Sequence, residues 1–283
     1  MPGKKPLISV ITVVFNGEEY LEQAIKSVIN QADNHIEYIV IDGGSIDGTL
    51  DIIRKYEDHI DSWTSKPDKG IFDAMNKGIK KATGEFIGML NADDWYEPGI
   101  LEKVKDKITG IQEPIEDRVI YCDHYWYDEE LSPGSKIKRK SEMKYWKGMT
   151  ISHQAMFVHR SVYERLGFYN LEYRFASDYE FFLRMIKAGV VFEKIDVYGI
   201  NFRKGGTSTR YMNQSITEVS RIVRKYFGLV SKEYVLFLLT NRLPSMLGNL
   251  RILLTKLIGK DKTNRLRRLR RRLVHKKSNE AEK

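Results

Sequence analysis

Three apolar runs in this 283-residue chain end in polar residues whose types can do chemistry: Asn16, Asp42 with Ser45, and Asp93 with Asp94. Carboxylates paired at the end of a buried strand emerge at the rim of a sheet. There a hard divalent cation can be shared with phosphate oxygens. Mg²⁺ or Mn²⁺ takes one or two protein carboxylates and fills its remaining positions with water and substrate phosphate, so two aspartates are enough. The competing reading makes Asp93 or Asp94 the N-cap of a helix that begins near Pro98.

The elements that must position these groups follow from apolar periodicity. Leu7 to Phe15 (LISVITVVF) is a continuous, β-branched run of the kind expected of a strand buried on both faces. In the following segment Tyr20, Leu21, Ala24, Ile25 and Val28 recur at helical spacing. The unit repeats with a strand at Ile36–Ile41, the turn DGGSIDG and a helix over Thr49–Tyr56. A short strand near Trp63, a helix from Ile71 to Ala82 and a strand over Glu85–Leu90 come next. This alternation predicts a doubly wound α/β sheet, whose ligands lie beyond the carboxyl ends of the strands. Further strands are expected at Val119–Cys122, Met156–His159, Val190–Ile195 and Val197–Phe202, with a peripheral hairpin across Tyr125–Lys140 and a helix over Ser177–Ala188. Beyond Tyr211 only helical signal remains, which places a boundary between a body at 1–212 and a helical extension at 213–283.

Composition narrows the class. The chain is 42% hydrophobic and 11% aromatic, so a packed core is expected and disorder throughout is excluded. One cysteine, Cys122, cannot close an internal disulfide or build a Cys-based zinc site, and favours a reducing, cytoplasmic setting. No signal peptide and no membrane-spanning helix are expected from the apolar runs. Residues 251–283 hold 13 Lys and Arg against Asp261, Glu280 and Glu282, so the net charge of +9 belongs to the tail and the body is close to neutral. A body with its own task and a tail with a separate electrostatic partner are expected.

Four segments together carry a specific resemblance: SVITVVFN, IVIDGGSIDGT, SKPDKGIFDAMNKGIKKATGEFIGMLNADDWYEP and SDYEFFLRMIKAG. In order and spacing the chain resembles a family 2 glycosyltransferase with the GT-A fold, a Rossmann-like, doubly wound mixed sheet, over roughly residues 7 to 206. The resemblance implies a nucleoside-diphosphate sugar donor, a divalent metal, Mn²⁺ or Mg²⁺, and transfer with inversion at the anomeric carbon.

It also implies roles. Phe15 stands where the family places an aromatic beside the nucleobase, with Asn16 next to it. Asp42 and Ser45 match the family's acidic turn, but its second acid is Gly43 here, which turns attention to Asp68 as a replacement acceptor for a base N–H. Asn76 and Gly78 match an Asn-x-Gly at the donor. The family's DxD reads Asn91, Ala92, Asp93, followed by Asp94, so the metal is expected mainly on Asp94, with Asp93 at the ribose or the metal. Asp178 matches the family's base, with Ser177 in place of the usual Glu. His153 and Gln154 are expected to hold the acceptor. Arg203 and Lys204, before Gly205 and Gly206, are expected to close a mobile loop over the diphosphate.

In the tail, Leu250, Leu253, Leu254, Leu257 and Ile258 share a helical stripe that Leu266 and Leu269 prolong among arginines. A basic amphipathic helix lies in the headgroup region of an anionic membrane. Its rivals are nucleic-acid binding, which is ranked last, and a packing helix with a solvated end. The expected protein is a cytoplasmic, metal-dependent inverting glycosyltransferase, drawn by its tail to the inner face of the cell membrane. Its donor is a nucleoside-diphosphate sugar, UDP-linked hexose foremost, and its acceptor a hydroxyl of a growing glycan on a lipid carrier or glycoprotein. Homo-oligomer formation is left open. The alternative is a GT-A-like protein that holds a nucleotide-sugar, or docks to a second transferase, without turnover. A nucleotidyltransferase should carry a Gly-rich basic loop after the first strand, and VVFNGEEY is none.

Overall fold

All seven residues of β1 (Ile8–Val14) are buried, and successive side chains divide between two apolar clusters. Ile11 and Val13 enter one, while Ile8, Val10 and Val14 enter the other. A strand covered on both faces needs this unbroken apolar run. The computed structural model describes residues 6–112, 114–128, 136–145, 149–205 and 211–229, with 232 and 235. The chain continues through α1 (Leu21–Ile29), β2 (Ile36–Asp42), α2 (Thr49–Lys55), β3 (Ser62–Ser65), α3 (Ile71–Lys81), β4 (Phe86–Asn91), β5 (Trp95–Tyr96) and α4 (Ile100–Thr109). Then follow β6 (Arg118–Tyr127), β7 (Lys136–Arg139), β8 (Met156–His159), α5 (Arg160–Leu166), α6 (Ser177–Lys187), β9 (Val191–Arg203) and α7 (Met212–Phe227).

The strands form one mixed sheet in the order β3-β2-β1-β4-β8-β6-β9-β5, with β7 paired to β6. The first four are parallel, β8 runs antiparallel to both its neighbours, and β6 and β9 are parallel. Helices α3, α5, α6 and α7 cover one face, and α1, α2 and α4 the other. The doubly wound α/β expectation is met.

Three local expectations change. The two strands expected between 190 and 202 are one, β9, whose pairing with β6 shifts register around Cys122–His124. A bulge of this kind bends a long strand without ending its ladder. Neither Asp93 nor Asp94 caps α4, because β5 intervenes and the N-cap is Gly99. The hairpin strands are β6 and β7, while the LSPGS turn lies outside the described residues.

The expected boundary at residue 212 does not coincide with a break in packing. Val219, Ile222 and Val223 of α7 are buried in the same cluster as Phe181 and Phe182 of α6. The basic stretch 251–283 lies outside the described residues. No helix among the described residues is long and apolar enough to cross a membrane.

One buried carboxylate ties the carboxyl ends of the sheet together. Asp94, 2% exposed, accepts the Arg203 amide of β9 on Oδ1 at 2.9 Å and the Gln154 Nε2 on Oδ2 at 2.7 Å. Burial, and then the neighbouring charge of Asp93, push its carboxyl well above the usual range, against the pull of those two donors. In this arrangement Asp94, the expected main metal ligand, ties the strand ends together, with each oxygen met by a protein donor. Asp94→Ala strands two buried donors and should lose about 2 kcal/mol or more of stability, measured by denaturant unfolding. Wild-type stability combined with loss of Mn²⁺-dependent nucleotide binding would return Asp94 to the metal.

Candidate active site

A cavity of about 620 Å³ opens where β1, β4, β6 and β9 end. Its wall includes Phe15, Asn16, Asn91 and Asp93 from the strand-end loops, and His153 and Asp178. Phe15 is 63% exposed, so a ring face is available to a flat ligand at the rim. Asn16 has φ +49°, a left-handed conformation that asparagine tolerates better than most residues. Its amide donates to Ser45 Oγ at 2.7 Å, and its Oδ1 accepts the Ile46 amide at 3.0 Å, which locks the β1 loop onto the β2 loop.

Asp42 and Ser45 serve that turn and do not line the cavity. Asp42, 1% exposed, accepts from the Gly44 and Ser45 amides and from the hydroxyls of Ser45 and Ser65. Four donors engage the expected donor-binding carboxylate, and in this arrangement it organises the turn. Gly43 has a positive consequence: a Cβ there would stand 2.4 Å from Asp68 Oδ2 and 3.4 Å from Phe15 Cδ2. The missing side chain makes the room that Asp68 occupies beside Phe15. Burial raises the Asp68 carboxyl above the usual range, although the Gly70 amide donates to it at 2.7 Å.

Asn76 and Gly78, expected at the donor, stand away from the cavity wall in packed positions. The Asn76 side chain pairs both ways with the Tyr169 backbone, donating at 2.9 Å and accepting at 3.0 Å. Gly78 lies under β1, where a Cβ would be 2.4 Å from Ile11 Cγ2. Close packing of α3 on the sheet accounts for the glycine.

Asp93, unlike Asp94, faces the cavity. Burial raises its carboxyl, and the charges of Arg203 and His153 oppose that rise. Asn91 Oδ1 is buried without a partner among the described residues, at the same strand end. Two hard oxygen donors on one cavity wall fit Mg²⁺ or Mn²⁺. Among the described residues no group of three His, Cys, Asp or Glu could hold a metal by protein ligands alone. Asp93 with Asn91 would hold the ion, and substrate oxygens would fill the remaining positions.

Arg203 is fixed rather than mobile. It is 7% exposed, its guanidinium lies 4.1 Å from the Tyr20 ring centroid and 5.0 Å from Trp95, and it donates to Asp93 O and Gln23 Oε1. Lys204 pairs with Asp128 at 2.6 Å, and Gly205 has φ +118°. Gly206 lies outside the described residues. Asp128 was not singled out from sequence, because its only signal is its place at the end of a strand longer than expected.

On the α6 side, Asp178 is the second residue of the helix. Its Oδ1 accepts the Tyr179 amide at 2.8 Å, and its Oδ2 lies 3.2 Å from His153 Nδ1. Their side chains are 16% and 15% exposed, so both reach the cavity wall while packing fixes them. His153 Nε2 is buried without a partner among the described residues. Gln154 is wholly buried at the cavity wall, with Ser152 Oγ on its carbonyl and Asp94 on its amide nitrogen, so its side chain ties the strand ends together. Ser177, in place of the family's Glu, donates to Asn170 O at 2.8 Å.

The geometry stands with the comparisons. The profile of "Glycosyl transferase family 2" matches residues 9–167. An uncharacterized glycosyltransferase of Mycobacterium tuberculosis is 31% identical over 201 residues, covering 68% of this chain and 72% of the relative. The fold is similar to that of Staphylococcus aureus TarS 1–349 in complex with UDP-GlcNAc, with TM-score 0.58 and 16% identity over 78% of this chain and 67% of that one. Against the longer TarS chain the match spans 40% of its length. It is similar also to the Pyrobaculum calidifontis mannosyltransferase in complex with GDP-Man and Mn²⁺, with TM-score 0.61 and 15% identity over 84% and 70% of the two chains. With strand order, strand-end cavity and profile in agreement, the chain belongs to glycosyl transferase family 2 and has the GT-A fold.

Proposed function

We propose that the protein is an inverting glycosyltransferase that moves a hexose from a nucleoside diphosphate, UDP foremost, to a hydroxyl of a growing glycan on a lipid carrier or glycoprotein. The carrying observation is that Asp93 and Asp178 line one cavity, from a strand end and a helix start. The nucleobase lies against Phe15, with Asp68 beside that ring to accept a base N–H. The diphosphate lies at Asp93 and Asn91, beside the fixed charge of Arg203. A bound Mn²⁺ or Mg²⁺ supplies charge neutralisation for the departing diphosphate.

Asp178 works on the acceptor. Its carboxylate takes the proton of the acceptor hydroxyl while that oxygen forms its bond to the anomeric carbon. The bond from that carbon to the diphosphate oxygen breaks on the opposite face, and its electron pair leaves with the nucleoside diphosphate. His153, 3.2 Å from Asp178, holds the carboxylate by its Nδ1 when that nitrogen carries the proton. The TarS and mannosyltransferase complexes, with UDP-GlcNAc and with GDP-Man and Mn²⁺, support a nucleotide-sugar donor and a metal. The binding-protein alternative draws on Asn91, a neutral amide where the family's motif has an acid.

Asp93→Asn is expected to remove the Mn²⁺-dependent part of UDP binding in calorimetry while thermal stability holds; unchanged metal dependence would release Asp93 from the role. Asp178→Asn should lower kcat by roughly 10²-fold or more, with donor affinity within a few-fold. Near-wild-type transfer would make Asp178 an ordinary acid of the first helical turn. Deleting residues 260–283 should abolish sedimentation with phosphatidylserine vesicles and spare turnover of a soluble acceptor; equal sedimentation of both proteins would remove the membrane role.

A further inference from the structure

The peptide segment that leads into α6 is held by a residue more than forty positions away. Glu218 of α7 accepts the amides of Arg174 at 3.0 Å, Phe175 at 2.8 Å and Ala176 at 3.0 Å. Arg174 and Phe175 line the cavity, Ala176 is the N-cap of α6, and Asp178 follows two residues later. Amides that precede a helix have no intrahelical acceptor, and packed ones need partners elsewhere. Here one carboxylate supplies all three bonds, and its charge also suits the positive end of α6.

Other contacts show that α7 grips the whole segment. Tyr211 stacks on Phe175 with centroids 5.1 Å apart, Arg221 lies over the Tyr173 ring at 4.7 Å, and Tyr226 donates to Glu180 at 2.6 Å. The far end of the segment is tied independently by the Asn76 pair to Tyr169 and by Ser177 to Asn170. Glu218 is thus the tie at the end nearest Asp178, and it is placed by the buried stripe Val219, Ile222 and Val223.

We propose that Glu218 is a positioning residue for the reaction: by fixing the amides of 174–176 it sets the first turn of α6 and so the place of the Asp178 carboxylate. The proposal rests on the reading of Asp178 as base. Without Glu218 the three donors turn to water and the first turn of α6 loosens. A misplacement of about 1 Å at a reacting group costs on the order of 10²-fold in rate. Donor affinity depends on strand-end residues and is unaffected.

The test compares Glu218→Ala, Glu218→Gln and, as a control for destabilised α7, Phe227→Ala, at the far end of the helix where its ring stacks on Tyr145. Turnover is read as nucleoside diphosphate release from whichever of UDP-GlcNAc, UDP-glucose, UDP-galactose and GDP-mannose the wild type cleaves. Nucleotide affinity is read by titration with UDP or GDP, and amide hydrogen exchange is followed at 174–176. Glu218→Ala should lose protection at these amides, lower kcat about 10- to 100-fold and leave nucleotide affinity within about two-fold. Glu218→Gln, whose carbonyl still accepts, should recover part of both losses. Phe227→Ala should lose thermal stability while keeping kcat and protection at 174–176. Unchanged protection in Glu218→Ala, or a kcat equal to that of Phe227→Ala, overturns the role of Glu218. A wild type that cleaves none of the four donors instead overturns the transferase reading, and this role with it.

Discussion

Burying a carboxylate is costly unless its oxygens are met by donors, and the active end of this sheet is built around that requirement. Asp94 brings together the end of β4, the last residue of β9 and Gln154 from the turn before β8. Each of these segments also contributes to the cavity: Asp93 precedes Asp94, Arg203 supplies the bonded amide, and His153 precedes Gln154. A single buried group therefore ties together the segments that carry Asp93, Arg203 and His153, the last of which reaches Asp178.

The same economy divides adjacent residues by task. Asp93 faces the cavity and Asp94 the interior, because the chain turns from β4 into β5 between them. His153 reaches Asp178 while Gln154 reaches Asp94, again by alternation in a short turn. Asp42, Asn16 and Ser45 bond one another and hold the β1 and β2 loops together, so that Phe15 stays exposed and Asp68 can fill the space left open by Gly43. Around Arg203, beside Asp93, aromatic faces and a backbone carbonyl take the place of water.

Much of the fold was legible because local pattern and tertiary role agree. The apolar runs at β1, β2 and β4 and the helical stripes of α1, α3 and α6 lie within a few residues of where their pattern places them. β9 was legible only as two strands, since its bulge interrupts the pattern, and β5 not at all, since a two-residue strand leaves almost no periodic trace. At the site, residue type was legible and orientation was not. Two adjacent aspartates carry the same signal in sequence, and only the third dimension shows which one is enclosed. Asn76 and Gly78 fall in the right motif for packing reasons, against Tyr169 and Ile11. Glu218 had no signal at all, because its partners are backbone amides 42 to 44 positions away.

The proposed reaction is a single displacement in which Asp178 removes the acceptor's proton on the face opposite the leaving diphosphate. The anomeric configuration of the product, read by proton NMR after transfer from an α-linked nucleotide sugar that the wild type cleaves, tests it. A β-linked product is expected from the first turnover onward. An α-linked product, formed with retention, would contradict it.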